Sequence, residues 1–292
     1  MRFAEKLKKA RKDYGMSQEV LADKLGVSRQ AVTKWETDKG LPDIENMIII
    51  SKLFGISLDE LLTDEKESHI RTRFLYESKT EYDIDGNKKF DLKLGSADSL
   101  VITGTDDEKI VVLLGSNDIV NLRENYKVKI DDIKRRIDVE INHVNRTVET
   151  ESHESLTIEV LFPNRYLDHI EIECDCNNLE INNLVCENVE HNGTVRKCLV
   201  KSLEGVFELD SNANMDIAIN KMKGSFELNQ VVASSRITVP SDLSFQTRLK
   251  GVKTSIKYEK AGLKTEDYSV DDSENVIEFN GIKSELVIAT ED

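Results

Sequence analysis

Residues 17–35 carry the pattern that most constrains this chain: two short helices joined by a tight turn. Ser17 and Ser28 each stand where a hydroxyl can cap the first turn of the helix that follows. Gly26 lies between the helices, where a sharp turn requires a residue that tolerates positive φ. Apolar residues at helical spacing give the helices an inward face: Val20, Leu21, Leu25, Val32 and Trp35. The stretch therefore predicts a helix-turn-helix.

The second helix leaves polar and basic side chains facing outward, and these suit base edges and phosphates. They are Arg29, Gln30, Thr33 and Lys34. A purely structural helical hairpin would share the amphipathic pattern alone, but here the caps, the glycine and the inward positions occur together. The pattern therefore favours double-stranded DNA as the partner.

Residues 1–63 resemble the lambda-repressor/Cro-type family, also called the xenobiotic-response-element family. The resemblance rests on this helix pair and on two later segments, Asp43–Met47 and Leu53–Leu62. It implies five helices, at about Phe3–Tyr14, Ser17–Leu25, Ser28–Asp38, Asp43–Phe54 and Leu58–Leu62. Arg11 and Glu36 match a family pair that forms a buried salt bridge, which would hold the first helix against the recognition helix.

The same resemblance implies which residues contact DNA. Gln18 matches a residue that opens the second helix and contacts a phosphate or a base edge. The start of the recognition helix and a position one turn further along would read bases, and the loop that follows would contact phosphate. The candidate DNA-binding residues are Gln18, Ser28, Arg29, Gln30, Thr33, Lys34 and Lys39.

Charge is unevenly distributed along the chain. Residues 1–64 contain 11 basic and 11 acidic residues, so the formal net charge of −15 lies in the remainder. Six of the first 12 residues are basic, and only Glu5 among them is acidic. Beside a recognition helix, such a basic segment favours attraction to phosphates. The acidic remainder would be repelled by DNA and should lie away from it.

After the helical region, short strands alternate apolar and polar residues, with Asn, Asp and Gly between them. Gly205–Leu209 and Gly224–Leu228 match at a spacing of 19, and Gly251–Ile256 and Gly281–Leu286 match at a spacing of 30. Short strands with repeated corners predict a β-solenoid-like stack of rungs. A β-sandwich is the alternative, because the spacing is irregular.

Residues 70–292 are similar to the "putative adhesin" family of β-strand-repeat modules, through Thr80–Gly86 and Phe90–Asp98. This resemblance implies a fold and brings no catalytic residues. We expect a turn at Gly95–Ser99 and a helical turn at Asp131–Arg136. A charged linker, residues 64–69, would separate this region from residues 1–63. The predicted fold class is thus multidomain, an α-helical domain followed by an all-β domain.

The sequence carries no pattern typical of catalysis or of cofactor binding. It has no Gly-rich phosphate loop, zinc-protease motif or Gly-x-Ser-x-Gly motif, so we expect neither an enzyme nor a cofactor. Cys174 and Cys176 share one strand face with Ile170 and Ile172, which predicts a buried apolar surface rather than a metal site. The four cysteines lack the paired spacing of structural zinc ligands: Cys174, Cys176, Cys186 and Cys198.

The chain shows no apolar signal region and no segment long enough to span a membrane, so we expect a cytoplasmic protein. The predicted function is a sequence-specific DNA-binding transcriptional regulator, a repressor by default, acting as a homodimer. The β region would supply pairing, or a surface that senses an unknown ligand or protein partner. In the alternative, the β region is an interaction or ligand-sensing scaffold for which DNA binding is secondary.

Overall fold

The computed structural model describes residues 3–54, 74–144 and 155–291 of the chain. The chain divides into two compact units, Met1–Arg73 and Phe74–Asp292, which we name the head and the β-domain. The predicted linker, residues 64–69, and the predicted helix Leu58–Leu62 lie outside the described residues.

The described part of the head consists of four helices. They are α1 (Phe3–Asp13), α2 (Gln18–Leu25), α3 (Arg29–Glu36) and α4 (Ile44–Phe54), each within two residues of its predicted bounds. Ser17 Oγ accepts a hydrogen bond from the Val20 amide at 3.1 Å, and Ser28 Oγ accepts one from the Ala31 amide at 3.2 Å. Gly26 ends α2 with a φ of 67°. The predicted caps and turn are therefore confirmed.

The helices of the head pack on one small apolar cluster that includes Leu21, Val32 and Trp35. One inward prediction is wrong, because Val20 is 44% exposed while Ala22 is buried. The buried stripe of α2 is Leu21, Ala22 and Leu25, so its inward face is rotated by part of a turn from the predicted one. The small side chain of Ala22 suits the close approach of another helix.

The described part of the β-domain contains 18 strands and two short helical turns. The strands are β1 (Tyr76–Asp83), β2 (Lys88–Thr105), β3 (Lys109–Ser116), β4 (Tyr126–Ile133), β5 (Arg136–His143), β6 (Thr157–Pro163), β7 (Leu167–Asn182), β8 (Leu184–Asn192), β9 (Val195–Val200), β10 (Leu203–Asp210), β11 (Asp216–Ile219), β12 (Met222–Val231), β13 (Ser234–Pro240), β14 (Gln246–Val252), β15 (Ser255–Lys260), β16 (Leu263–Thr265), β17 (Val276–Ile282) and β18 (Glu285–Glu291). The helical turns are α5 (Leu122–Asn125) and a 3₁₀ turn (Asn164–Tyr166).

These strands pair in two long ladders. The first ladder runs β4-β5-β2-β7-β8-β10-β12-β17-β14, and the second runs β1-β3-β6-β2-β7-β9-β11-β13-β18-β15-β16. β2 and β7, 18 and 16 residues long, take part in both. Pairing from β2 to β14 in the first ladder and from β6 to β15 in the second is parallel. Antiparallel pairs occur at β1–β3, β3–β6, β4–β5 and β15–β16.

The two sequence repeats mark strands that lie side by side. Gly205 aligns with Gly224 where β10 pairs with β12, and Gly251 aligns with Gly281 where β14 pairs with β17. The order of the strands in space departs from their order in the chain, because β17 lies between β12 and β14. Inward side chains from both ladders form one continuous apolar cluster.

Two local predictions in the β-domain are wrong. The expected turn at Gly95–Ser99 lies inside β2, where Gly95, with a φ of 73°, falls at a shift of register against β7. Such a bulge bends the strand and lets it continue from one ladder to the other. The expected helical turn at Asp131–Arg136 is a hairpin between β4 and β5, with Lys134 at a φ of 60°. Strand pairing outweighs the local helical preference there.

Candidate DNA-binding surface

The helix pair α2–α3 presents one polar surface, which contains most of the predicted site. Gln18 is half-buried. The other six candidate residues are exposed: Ser28, Arg29, Gln30, Thr33, Lys34 and Lys39. Val32 and Trp35 face the core of the head, so the outward direction of the remaining side chains follows from the helical period.

Behind this surface, Arg11 of α1 and Glu36 of α3 form a bidentate ion pair. Arg11 Nε donates to Glu36 Oε1 at 2.6 Å, and Arg11 Nη2 donates to Glu36 Oε2 at 2.9 Å. Arg11 Nη1 also donates to the carbonyl oxygen of Met16 at 2.7 Å. The two ion-paired side chains are only 10% and 1% exposed. The predicted salt bridge is therefore present, and it joins α1, the turn before α2, and α3.

Gln18 connects this ion pair to the exposed surface, a role that the sequence analysis missed. Its Nε2 donates to Glu36 Oε2 at 2.8 Å, and its Oε1 accepts from Thr33 Oγ1 at 3.2 Å. One chain of hydrogen bonds thus runs from Arg11 through Glu36 and Gln18 to Thr33. It fixes the amide of Gln18 at the start of α2. No local pattern signals these contacts, because each joins residues on different helices.

The ion pair keeps both of its members charged. Burial alone would raise the pKa of Glu36, but the hydrogen bonds from Arg11 and Gln18 outweigh burial and hold that pKa below its usual value. The hydrogen bond to Glu36 raises the pKa of Arg11. The carboxylate beneath the surface is therefore neutralised by the guanidinium, and it adds little repulsion toward an approaching phosphate.

The candidate residues fall into two groups along α3. Ser28, Arg29 and Gln30 lie at its N-terminal end. Lys39 lies just beyond its C-terminal end, where its amide donates to the carbonyl oxygen of Lys34 at 2.9 Å. The structure therefore places one basic and two neutral candidate residues at the start of the helix, and two lysines, Lys34 and Lys39, at or beyond its end.

The β-domain holds its four cysteines as buried free thiols. Cys174 and Cys176 lie on the inner face of β7 with Ile170 and Ile172, as predicted. Burial raises the pKa of Cys186 to about 11, as expected of an apolar environment. Within residues 3–54, 74–144 and 155–291, no group of three Cys, His, Asp or Glu side chains is arranged to hold a metal ion. The same residues include no helix long and apolar enough to cross a membrane.

Residues 7–61 match the protein-family model described as helix-turn-helix. The transcriptional activator BcrR of Enterococcus faecalis is 47% identical over 66 residues, which cover 23% of this chain and 32% of that protein. The uncharacterized regulator YqaE of Bacillus subtilis is 41% identical over 68 residues, 23% of this chain and 59% of that protein. The phage repressor RstR of Vibrio cholerae is 37% identical over 71 residues, 23% of this chain and 63% of that protein. The chain thus spans about a third to three fifths of the length of these curated relatives.

Solved structures resemble a larger part of the chain at lower similarity. A "putative cell adhesion protein" from Clostridium sporogenes has a TM-score of 0.36 and 13% identity, over 74% of this chain and 99% of that one. A "putative adhesin" from Bacteroides fragilis has a TM-score of 0.34 and 15% identity, over 74% of this chain and 98% of that one. At these scores the likeness assigns no function to this chain.

Proposed function

We propose that this chain is a DNA-binding transcriptional regulator that represses transcription at a specific operator. The observation that carries the proposal is the exposed polar face of α3, with Arg29 and Gln30 at its start and a buried ion pair behind it. The helix-turn-helix match supports the proposal, as does the similarity to proteins named as transcriptional regulators.

In this proposal α3 enters the major groove with its first residues toward the base edges. Arg29 donates to the O6 and N7 atoms of guanine, and Gln30 pairs with the N6 and N7 atoms of adenine. Lys34, Lys39 and the exposed lysines of α1 contact phosphates, which position the head without reading sequence. The hydrogen bond between Thr33 and Gln18 holds the start of α2 and the middle of α3 in a fixed relation.

One head alone offers little contact surface, so we propose that a homodimer binds the operator. Its recognition helices would enter successive major grooves about 34 Å apart. The β-domain, as a solenoid-like stack of rungs, would supply the pairing or sense an unknown ligand or protein. β14 supports a pairing role: among the described strands it pairs with β17 alone, and it exposes Leu249 (50%) and Val252 (62%).

The test of operator reading is selection of bound sequences from a random DNA pool by the full-length protein at physiological salt. The same pool is offered to a variant with Arg29→Ala and Gln30→Ala. A recovered motif that disappears with the variant supports the proposal, and a motif with two-fold symmetry supports the homodimer. Failure of the folded protein to select any motif would contradict it.

The sign of regulation is tested with a reporter gene placed behind the selected operator. We expect lower expression when the full chain is present, since a bound dimer would exclude the polymerase. Higher expression would instead indicate activation, the function for which BcrR is named. Replacing the β-domain with a neutral dimeriser separates pairing from sensing. If regulation is retained, the β-domain only pairs the heads. If DNA binding is retained but the response to the signal is lost, the β-domain senses that signal.

A further inference from the structure

Two cysteine side chains meet inside the β-domain where β7 passes from one ladder to the other. β7 pairs with β8 up to Glu173 and with β9 from Cys176 onward. Cys174 and Cys176 stand at this bend, two residues apart, and are 1% and 5% exposed. Because alternate side chains of a strand share a face, both thiols point into the core, and the exposed Asp175 between them points outward. The bend therefore places two buried thiols next to each other.

The backbone around Cys174 is lined by glycines. Gly95 of β2 is aligned with Cys174, directly after a shift in the register of β2 against β7. Gly193 approaches so closely that a Cβ there would lie 2.1 Å from the carbonyl oxygen of Cys174. A cavity of about 930 Å³ opens at this point, and Cys174, Gly95 and Gly193 belong to its lining. The cavity offers a route from the surface to the bend.

A buried histidine beside the thiols lacks hydrogen-bond partners. His191 of β8 is 1% exposed, and neither its Nδ1 nor its Nε2 has a hydrogen-bond partner among the described residues. Its register partner in β7 is Ile172, so His191 lies on the inner face, one inward position before Cys174. Buried polar groups are nearly always paired, so a ring N–H without an acceptor destabilises the fold unless an acceptor forms nearby.

The two thiols and the imidazole act on one another. The hydrogen bond from the Cys174 thiol, together with the neighbouring His191, lowers the pKa of Cys176, although burial opposes this effect. The thiolate, which is the form of cysteine that binds metal ions, is therefore favoured at Cys176. Cys186 of β8 is also buried, but burial dominates there and raises its pKa to about 11. Burial alone thus does not account for the character of the pair at the bend.

We propose that Cys174 and Cys176 together bind one Cu(I) ion, and that His191 donates a hydrogen bond to the sulfur of Cys176. Thiolates are soft ligands that select Cu(I), and this ion accepts as few as two of them. The ion replaces the two thiol protons, which pass to the solvent. The ring N–H of His191 then gains the acceptor that it lacks, as the outer-shell partners of metal ligands do.

Zinc fits these residues less well. Structural zinc takes four ligands in a tetrahedral arrangement. In the part of the chain that the structure describes, no three Cys, His, Asp or Glu side chains are grouped to hold a metal ion. A pair of thiols suits an ion that needs only two ligands. The site goes beyond the proposed reading of DNA and does not depend on it.

The test is competition for Cu(I), without oxygen, between the reduced full-length protein and the coloured chelator bicinchoninate. We expect the protein to withdraw one equivalent of Cu(I) from the chelator. Cys176→Ser should weaken binding by at least about a hundredfold, because even the loss of an outer-shell partner costs up to that factor. Cys186→Ser removes a similarly buried thiol from the neighbouring strand, and we expect unchanged binding.

Two outcomes would overturn the proposal. One is failure of the protein to withdraw Cu(I) from the chelator. The other is an equal loss in the two serine variants, which would indicate nonspecific binding by thiols. Far-ultraviolet circular dichroism and the melting temperature establish that both variants are folded.

The positioning role of His191 is tested by two substitutions at that position. His191→Leu removes the N–H group, and we expect about tenfold weaker Cu(I) binding. His191→Gln keeps an N–H donor, and we expect it to restore most of the affinity. Equal affinities in the two variants would overturn the assigned hydrogen bond. X-ray absorption at the copper edge should show two sulfur ligands, and a nitrogen ligand would overturn the two-thiolate site.

Discussion

The head and the β-domain distribute their stability in different ways. The head has ten buried apolar residues in its described core, together with one buried ion pair between Arg11 and Glu36. The β-domain has 47 described residues in one continuous apolar cluster, spread over the two ladders. Breaking the ion pair of the head would leave a buried charge unpaired, and that cost is large for so small a core. In the β-domain apolar burial is shared among many more side chains.

We expect the β-domain to be most sensitive to a change in the distance between neighbouring strands. Parallel strands pair along most of their length, as β10 does with β8 and with β12. The backbone at the closest approach between paired strands is then the sensitive point. The comparison predicts that the stability of the head is most sensitive to the loss of a side-chain charge, and that the stability of the β-domain is most sensitive to changes in backbone packing.

The largest expected effect comes from Gly205→Ala. Gly205 has a φ of 130°, and a Cβ there would lie 1.7 Å from the carbonyl oxygen of Cys186 on the neighbouring strand. We expect the β-domain to lose about 4 kcal/mol in its free energy of unfolding, because a clash between two backbones cannot be relieved by side-chain rotation. Urea unfolding followed by far-ultraviolet circular dichroism measures this loss.

Gly86→Ala is the matched control, since a Cβ at Gly86 would meet no heavy atom within 4 Å. If both variants unfolded at the same urea concentration, close packing between neighbouring strands would not be the sensitive feature of the β-domain. The comparison with the head would then fail.

The next largest effect is expected for Glu36→Ala in the head. Removing the carboxylate leaves the guanidinium of Arg11 buried and unpaired, so we expect a loss of about 3 kcal/mol in the stability of the head. Trp35, the single tryptophan of the chain, lies in the head core, and its fluorescence reports on the head alone. Glu19→Ala, at an exposed position of α2, should leave the midpoint of the fluorescence transition unchanged.

The same contrast explains which features the sequence could predict. The caps Ser17 and Ser28 and the turn at Gly26 act within a few residues, so the helices of the head follow from local patterns. The repeat that includes Gly205 and Gly224 indicates neighbouring strands, and β10 and β12 do pair in parallel with these two glycines aligned. The hydrogen bonds of Gln18 with Glu36 and Thr33 could not be predicted, since they depend on how two helices cross.

The position of β17 between β12 and β14 also has no local signal. A row of acidic side chains on the outer face of the first ladder is hidden for the same reason: Asp91 and Glu278 stand far apart in the chain and become part of one row only when the register of every strand is known. A shift of one residue in any strand would turn its glutamate toward the core. The sequence therefore predicts the kind of fold in this region without predicting the surface that the fold assembles.

Acid should weaken the head through Glu36. The folded-state pKa of this carboxyl is lowered, so the ion pair stabilises the head above the unfolded pKa of about 4.3 and is lost as the pH falls through the folded value. At pH values below about 4, we expect a lower midpoint of unfolding, followed by Trp35 fluorescence, than at neutral pH. This decrease should be smaller than the one caused by Glu36→Ala, because a protonated Glu36 can still hydrogen-bond. Glu36→Gln should remove this part of the pH dependence. A variant whose acid dependence matched that of the wild type would show that other carboxyl groups govern it.

The smallest expected effect is that of Lys39→Ala on DNA binding, and it tests the contrast in charge between the two units. Lys39 lies beyond the C-terminal end of α3, away from the base-reading residues at its start, so we expect a loss of about 0.5 kcal/mol on all DNA sequences alike, with the salt dependence of log K reduced by about one. Fluorescence anisotropy of labelled operator and of scrambled DNA at several salt concentrations measures both quantities. A loss confined to the operator would make Lys39 a base-reading residue instead. The variant Glu208→Gln with Glu227→Gln should leave DNA affinity unchanged, because those carboxylates belong to the β-domain; a gain in affinity would mean that the acidic β-domain opposes DNA binding by the head.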